Sequence, residues 1–466
     1  MSKPPIPLRR LLFSSILLCL LTASVAIGAT FRNHVSAHAD GNNPVPAKYA
    51  FMVFFDGGHP ELYNATNAPF INSLKASGAS YTNAQAQVPA DSITNIMGAF
   101  TGTDASHHGY PYETFWDYHY NHLIELDETP VLPPGITEDR NVGRACTLFQ
   151  AAKAAGLRTA FIAKYPAYDV LDGPNTCPVY SGIGVDNLQT PTFANFTGTP
   201  QQYDQMNFDA VRAEINSGAN RPNIFGLYAV APNSIMKQYG INSPQVAQII
   251  QFEDSQVAQT VALLKSVGIY NQTEIALVND HGNTALTEAI PDHGPGSIDQ
   301  YLNDNGIPTV QTTTDRVALV YLQNPSQTQQ AINLLSTPQN MAQFGIQAMT
   351  PSWQLGAYMV TPQDRTPSFI VWPTDGSNGT QAVVYDTPPL SKLAEHGGRG
   401  SADQNVMIVM VGPGVQPGFS TNQHVWLMQV GSTVAADMCL NLANATYAPL
   451  PGTSGDDNNC QNYHYY

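Results

Sequence analysis

The chain predicts an α/β fold built on a mainly parallel sheet, and three observations carry that prediction. The run Lys48 to Phe55 (KYAFMVFF) is almost wholly apolar and closes on Asp56-Gly57-Gly58. Unbroken apolar runs stopped by glycine read as strands buried on both faces, as parallel sheets require. Similar runs recur downstream and alternate with helical segments, the rhythm of β-α units. From about Thr284 to Ala394 the rhythm breaks into a stretch rich in Gln, Thr, Pro and Asn, which reads as a smaller cap inserted in the main domain of 40–466.

The elements follow in order. Pro69 to Ser77 predicts a short helix closed by Gly78. Ala145 to Ala155 predicts a helix ended by Gly156, and Arg158 to Ala163 the strand after it. Ile224 to Val230 and Ile275 to Val278 are further strands, and Val246 to Val267 is a long helix between them. Val406 to Val411 is a late strand stopped by Gly412-Pro413-Gly414. Within the cap, short strands fall around Arg316 to Leu322 and Ser368 to Val371. Tyr110 to Arg140 is an aromatic and acidic stretch suited to a rim beside a site.

Composition narrows the function. With 43% apolar residues the 466-residue chain can bury a large core, which excludes a disordered segment. Lys and Arg number 19 against 35 Asp and Glu, a formal charge of −16, so nothing marks a nucleic-acid backbone as a partner. Lys3, Arg9 and Arg10 precede the uncharged run Leu11 to Leu21, and Ala37-His38-Ala39 offers a small-residue cut site. This reads as an export signal over 1–39, predicting a secreted or cell-surface protein with no membrane contact beyond the signal. An earlier cut near Ala26 and an uncleaved anchor over Leu11 to Ala29 are the competing readings. A cut after Ala39 removes four cations and takes the charge from −16 to −20. Cys146, Cys177, Cys439 and Cys460 then remain, an even count that suggests two disulfides in an exported chain. Pairing 146–177 and 439–460 is the simplest of three connectivities.

Candidate chemistry gathers beside the strands. Asp56 follows the first strand, Asp280-His281 follows IALVN, and His396 precedes the late strand. Ligands of open α/β sheets bind outside the carboxyl ends of strands, where carboxylates and imidazoles can hold a divalent metal such as zinc or manganese. In Pro89-Ala-Asp-Ser-Ile-Thr-Asn95, Ser92 can open a helix whose N-terminal amides favour a phosphoryl oxygen. The bland reading is that Asp91 or Ser92 only caps that helix. Asp292-His293-Gly294, His107 and His108 read as loop or turn positions, His59 as a surface residue that could instead point into the site, and Tyr110, Tyr112, Phe115 and Trp116 as packing.

These pieces resemble the alkaline phosphatase superfamily, and within it the type I phosphodiesterase/nucleotide pyrophosphatase group. The resemblance runs over FFDGG (54–58), PADSITN (89–95), FTGTDASHHG (100–109), TLFQAAKAAGLRTAFIAKYP (147–166), VNDHG (278–282) and EHGGRGSADQNVMIVMVGPG (395–414). It implies a doubly wound sheet sandwiched by helices, with two metals at the strand ends. It also implies that Asp56, Asp280, His281 and the Ser92 hydroxyl hold one metal, zinc foremost, that Ser92 attacks phosphorus, and that Asn95 hydrogen-bonds a phosphoryl oxygen. His396 would serve the second metal. There the chain departs from the pattern Pro-Asp-x-x-Gly-His, reading Pro232-Asn-Ser-Ile-Met-Lys. Asn233 stands in place of the carboxylate and Lys237 in place of the histidine, and a protonated lysine cannot ligate a metal. The expectation is a metal-dependent hydrolase of small phosphate esters with one firm metal site and Lys237 as a fixed charge. A member that binds a phosphorylated ligand or a partner without catalysis is the alternative.

Overall fold

The structure is a computed structural model and describes residues 46–358 and 364–454. The stretch 1–39 read as an export signal, and Cys460 of the expected 439–460 pair, lie outside the described residues. Along the chain the principal strands are Tyr49–Phe55 (β1), Ala79–Tyr81 (β2), Thr159–Ile162 (β3), Asn187–Gln189 (β4), Ile224–Ala229 (β5) and Thr273–Asn279 (β6), then the cap strands Thr309–Thr314 (β7), Ala318–Leu322 (β8), Ile346–Pro351 (β9) and Phe369–Pro373 (β10), then Ile408–Val411 (β11) and Phe419–Thr421 (β12). The helices that matter here are Pro69–Ser77 (α1), Ser92–Thr101 (α2), Leu148–Ala154 (α3), Pro200–Ile215 (α4), Ala231–Tyr239 (α5), Pro244–Ser266 (α6) and Gln429–Asp437 (α7).

Eight strands form the main sheet in the order β12-β2-β11-β6-β1-β5-β3-β4. The run β6-β1-β5-β3-β4 is parallel throughout, and β11 is antiparallel to its neighbours β6 and β2. The alternation of β1 sorts its side chains onto two faces. Ala50, Met52 and Phe54 pack with Ile93, Ile96 and Phe100 of α2, Leu148 and Phe149 of α3 and Val434 of α7. Phe51, Val53 and Phe55 pack with Ile71 of α1, Phe208 and Val211 of α4 and Ile249, Ile250 and Val257 of α6. The sheet is therefore covered by helices on both sides, which is why its central strands carry no polar face.

Local signals set the boundaries. The helix expected from Ala145 starts at Leu148, because Thr147 and Gln150 form a capping box. The long helix starts at Pro244 behind the Ser243 cap. Cys146 and Cys177 are disulfide-bonded. Within 284–394, the strands β7, β8, β10 and β9 form an antiparallel sheet in that order. It has a core of its own, including Leu302, Leu335, Phe344 and Val371. The stretch expected to be a rim is better packed than that: Tyr110, Tyr112 and Phe115 are buried in the main core. No described helix is long and apolar enough to cross a membrane.

One buried carboxyl pair fixes the approach to the site. Asp204 of α4 accepts hydrogen bonds from Val230 N at 2.8 Å and Ala231 N at 2.7 Å, holding the start of α5. Glu253 of α6 is the charged neighbour, and both carboxyls are wholly buried. Burial pushes Asp204 up to about 7, and burial together with the Asp204 charge pushes Glu253 well above the usual carboxylate range. Folded values above the unfolded ones mean that this contribution is complete at low pH and is lost as pH rises through them. Thermal stability should therefore fall as pH rises from the ordinary carboxylate range through about 7, and Glu253→Gln should flatten the fall. Equal slopes for the two proteins in a pH series of melting curves would contradict this.

Candidate functional site

The register of the sheet builds the site. Phe55 of β1 stands beside Asn279 of β6, so the next residues, Asp56 and Asp280, leave the sheet side by side at its carboxyl edge. His281 follows directly. Because β11 runs against β6, the chain before β11 meets the same edge, and His396 stacks on His281 with ring centroids 3.8 Å apart. Thus a residue ahead of a strand joins residues that follow strands.

The nucleophile candidate sits where the sequence placed it, at the first residue of α2. Asp91 is the cap: its Oδ2 accepts from Thr94 N at 3.2 Å. That leaves Ser92 Oγ free to lie 3.0 Å from His281 Nε2. His281 Nδ1 lies 2.9 Å from the Gly282 carbonyl, which takes the Nδ1 proton and leaves Nε2 with a lone pair. Ser92 Oγ is therefore the donor to His281.

Asp56, Asp280 and His281 each present one ligand atom within 4.8 Å of the others, and all three are buried. Asp280 is fully engaged: Oδ1 accepts from Gly57 N at 3.1 Å and His281 N at 2.9 Å, and Oδ2 accepts from the Tyr228 hydroxyl. Asp56 is not. Its Oδ1 is buried with no hydrogen-bond partner. An orphaned carboxylate oxygen next to a bare imidazole nitrogen fits a divalent ion, since a buried acceptor without a donor is costly. Burial pushes the Asp56 carboxyl up, Lys164 and His281 pull it back, and Asp280 adds to the rise.

The second half of the cleft differs. Asn233 is buried at the start of α5, its Oδ1 against Gly57 and without a partner. The Lys237 ammonium lies 2.6 Å from Glu395 Oε1, so its charge is spent on a carboxylate that the sequence reading had not singled out. Lys392 holds the other oxygen, Oε2, at 2.6 Å. His396 Nε2 is 3.3 Å from Glu395 Oε1, and its Nδ1 is 3.2 Å from the Ala90 carbonyl. Burial first, with the Lys237 charge, holds the His396 imidazole neutral, well below the usual histidine range.

Four further residues complete the account. Asn95 is buried with its amide on the backbone, Oδ1 accepting from Gln87 N at 2.8 Å and Nδ2 donating to the Asp91 carbonyl at 3.0 Å, so it staples the loop that presents Ser92. His59 is buried and accepts from Asn283 N at 3.1 Å, while exposed His293 pairs with Asp299. Lys164, absent from the sequence reading, enters the site just beyond β3, with Nζ 3.2 Å from Asp56 Oδ2 and 3.4 Å from Ser92 Oγ. Its only sequence signal is a lysine two residues past a buried strand.

Tyr228 tests the metal reading without replacing a ligand. Tyr228→Phe removes a hydrogen bond that orients Asp280, and zinc affinity measured by competition titration should fall about 10- to 100-fold. An affinity equal to that of the wild type would remove Asp280 from the ligand set.

The comparisons give the family and the fold. The family model for type I phosphodiesterase/nucleotide pyrophosphatase matches residues 50–375. Among solved structures, murine ectonucleotide pyrophosphatase/phosphodiesterase 5 is 14% identical with a TM-score of 0.66, over 88% of this chain and 98% of that one. Its inactive form in complex with AMP is 14% identical with a TM-score of 0.65, over 84% and 95%. The human counterpart is 15% identical with a TM-score of 0.65, over 87% and 97%. At these identities the likeness speaks for the alkaline phosphatase-like fold. The search of curated proteins returned no match. With the model spanning most of the chain and the site in place, the protein belongs to the type I phosphodiesterase/nucleotide pyrophosphatase family.

Proposed function

We propose that the protein is an exported, metal-dependent phosphoric ester hydrolase acting through a phosphoryl-enzyme on Ser92. The observation that carries this is Ser92 Oγ at the head of α2, 3.0 Å from the bare nitrogen of His281 and beside two buried carboxylates. The O–P bond would form from Ser92 as the bond to the leaving alkoxide breaks, and water would then release phosphate from the serine. A divalent ion on Asp56, Asp280, His281 and Ser92, zinc foremost, would act as a Lewis acid on the serine and the phosphoryl oxygens. The amides of the first turn of α2 are suited to the same oxygens.

The residues of the second site do not suit a second ion. Asn233 brings no charge, Lys237 is a cation paired with Glu395, and only His396 keeps a metal-binding nitrogen. We read the Lys237–Glu395 pair as standing in that place, which leaves one metal per chain. A mature charge of −20 would repel polyanions, which favours small phosphate esters over nucleic acid. AMP bound to the murine relative is of that size. The leader sequence and the Cys146–Cys177 disulfide support export to an oxidising compartment.

A second reading is a member that binds a phosphorylated ligand without turnover. The Lys164 ammonium on Asp56 and Ser92 favours it, since it occupies acceptors that a metal would use. Chromogenic phosphate mono- and diesters, with added zinc or manganese, separate the two. Ser92→Ala should lower kcat/KM at least about 10³-fold, and acid-quenched wild-type enzyme should carry a phosphoryl group on the Ser92 peptide. Equal rates for wild type and Ser92→Ala on every ester would favour the binding reading.

A further inference from the structure

Lys164 is the charged group that neither the sequence pattern nor the metal reading uses. Its side chain is 11% exposed, and its ammonium lies 5.0, 5.7 and 5.1 Å from the ring centres of Tyr165, Tyr168 and Tyr228. Such a cage fits a cation, because the faces of aromatic rings attract one while excluding water. An ammonium set among three ring faces and against the Asp56 carboxylate is a fixed positive charge in a buried pocket.

Its hydrogen bonds have a direction. An ammonium only donates, so Ser92 Oγ accepts from Lys164 at 3.4 Å and passes its own proton toward His281 Nε2 at 3.0 Å. A second proton goes to Asp56 Oδ2 at 3.2 Å. The third meets no hydrogen-bond acceptor among the described residues. A charged donor held this rigidly beside a nucleophile, with one proton to spare, is the arrangement that binds an anion.

We propose that Lys164 is a phosphate-binding residue: it positions the Ser92 hydroxyl and donates its remaining proton to a phosphoryl oxygen of the ester and of the phosphate product. This rests on reading the Ser92 site as one that takes phosphate esters. The site then meets the phosphoryl group with charge from two sources, the ion ligated by Asp56, Asp280 and His281 and the lysine opposite Asp56. The lysine contributes whether or not an ion is bound.

The test compares wild type with Lys164→Met, which keeps the length and removes the charge, and Lys164→Arg, which keeps the charge. Inorganic phosphate is titrated calorimetrically in the presence of zinc, and hydrolysis of the chromogenic esters is measured alongside. Lys164→Met should weaken phosphate binding at least about tenfold and lower kcat/KM, with zinc still bound, while Lys164→Arg should recover part of the phosphate affinity. Should Lys164→Met fail to fold, Lys164→Gln is read in the same way. A phosphate Kd within about twofold of wild type in the neutral variant overturns the proposal. A wild-type protein that binds phosphate through Lys164 but hydrolyses no ester leaves it standing and removes the hydrolase reading. Hydrolysis that is indifferent to Lys164 does the reverse, and a wild type that takes up no phosphate overturns both.

Discussion

Two carboxylates, Asp56 and Asp280, are buried side by side at the carboxyl edge of the sheet, and the rest of the site is arranged around their charge. At 4.8 Å or less in a protein-like dielectric, their repulsion is on the order of 3–4 kcal/mol. The parallel register of β1 and β6 leaves no choice about the proximity, because the residues after Phe55 and Asn279 must emerge together. Asp280 is stabilised by two amides and a tyrosine hydroxyl. Asp56 has Lys164 on one oxygen and no hydrogen-bond donor on the other, which lies 3.5 Å from His281 Nε2. That single open acceptor, facing the lone pair of His281, gives the site its use for a cation.

The same constraint explains why the two halves of the cleft diverge. Around Asp56 the charge balance stays negative and open. Around His396 it is closed, since Glu395 is held by Lys237 on one oxygen and Lys392 on the other. A buried carboxylate with two ammonium partners needs no further cation, and Glu395 is held well below the usual carboxylate range despite its burial, by the Lys237 and Lys392 ammonium groups. Lys237, which stands where the resemblance implies a metal-binding histidine, is therefore matched by a carboxylate, as an internal ion pair requires. The proposed chemistry follows from this asymmetry, with one ion and one lysine at Ser92.

Much of this was legible in the sequence where local signals coincide with global placement. Asp56 and Asp280-His281 follow buried strands, so strand detection alone put them at one edge. Asp91 and Ser92 carry a helix-start signal, and the helix begins there. The stretch 284–394 stood out as a change in composition, and it holds a four-stranded sheet and an apolar cluster of its own. What the sequence hid depends on tertiary direction. The reversal of β11, which brings His396 to the right edge, leaves no trace in an apolar run. Asn95 carries the motif, yet whether its amide turns to the cleft or to Gln87 is decided by the loop it staples. Glu395 and Lys164 are ordinary charged residues until the fold sets them against Lys237 and Asp56.

The central claim is that this cleft has one place for a divalent ion, at Asp56, Asp280 and His281, and that an internal ion pair fills the other. Native mass spectrometry of the purified mature chain, equilibrated with zinc, counts the ions directly. The account predicts one zinc per chain, lost when His281 is replaced by alanine and kept when His396 is. Two tightly bound zinc ions in the wild-type chain, one of them lost on replacing His396, would contradict it.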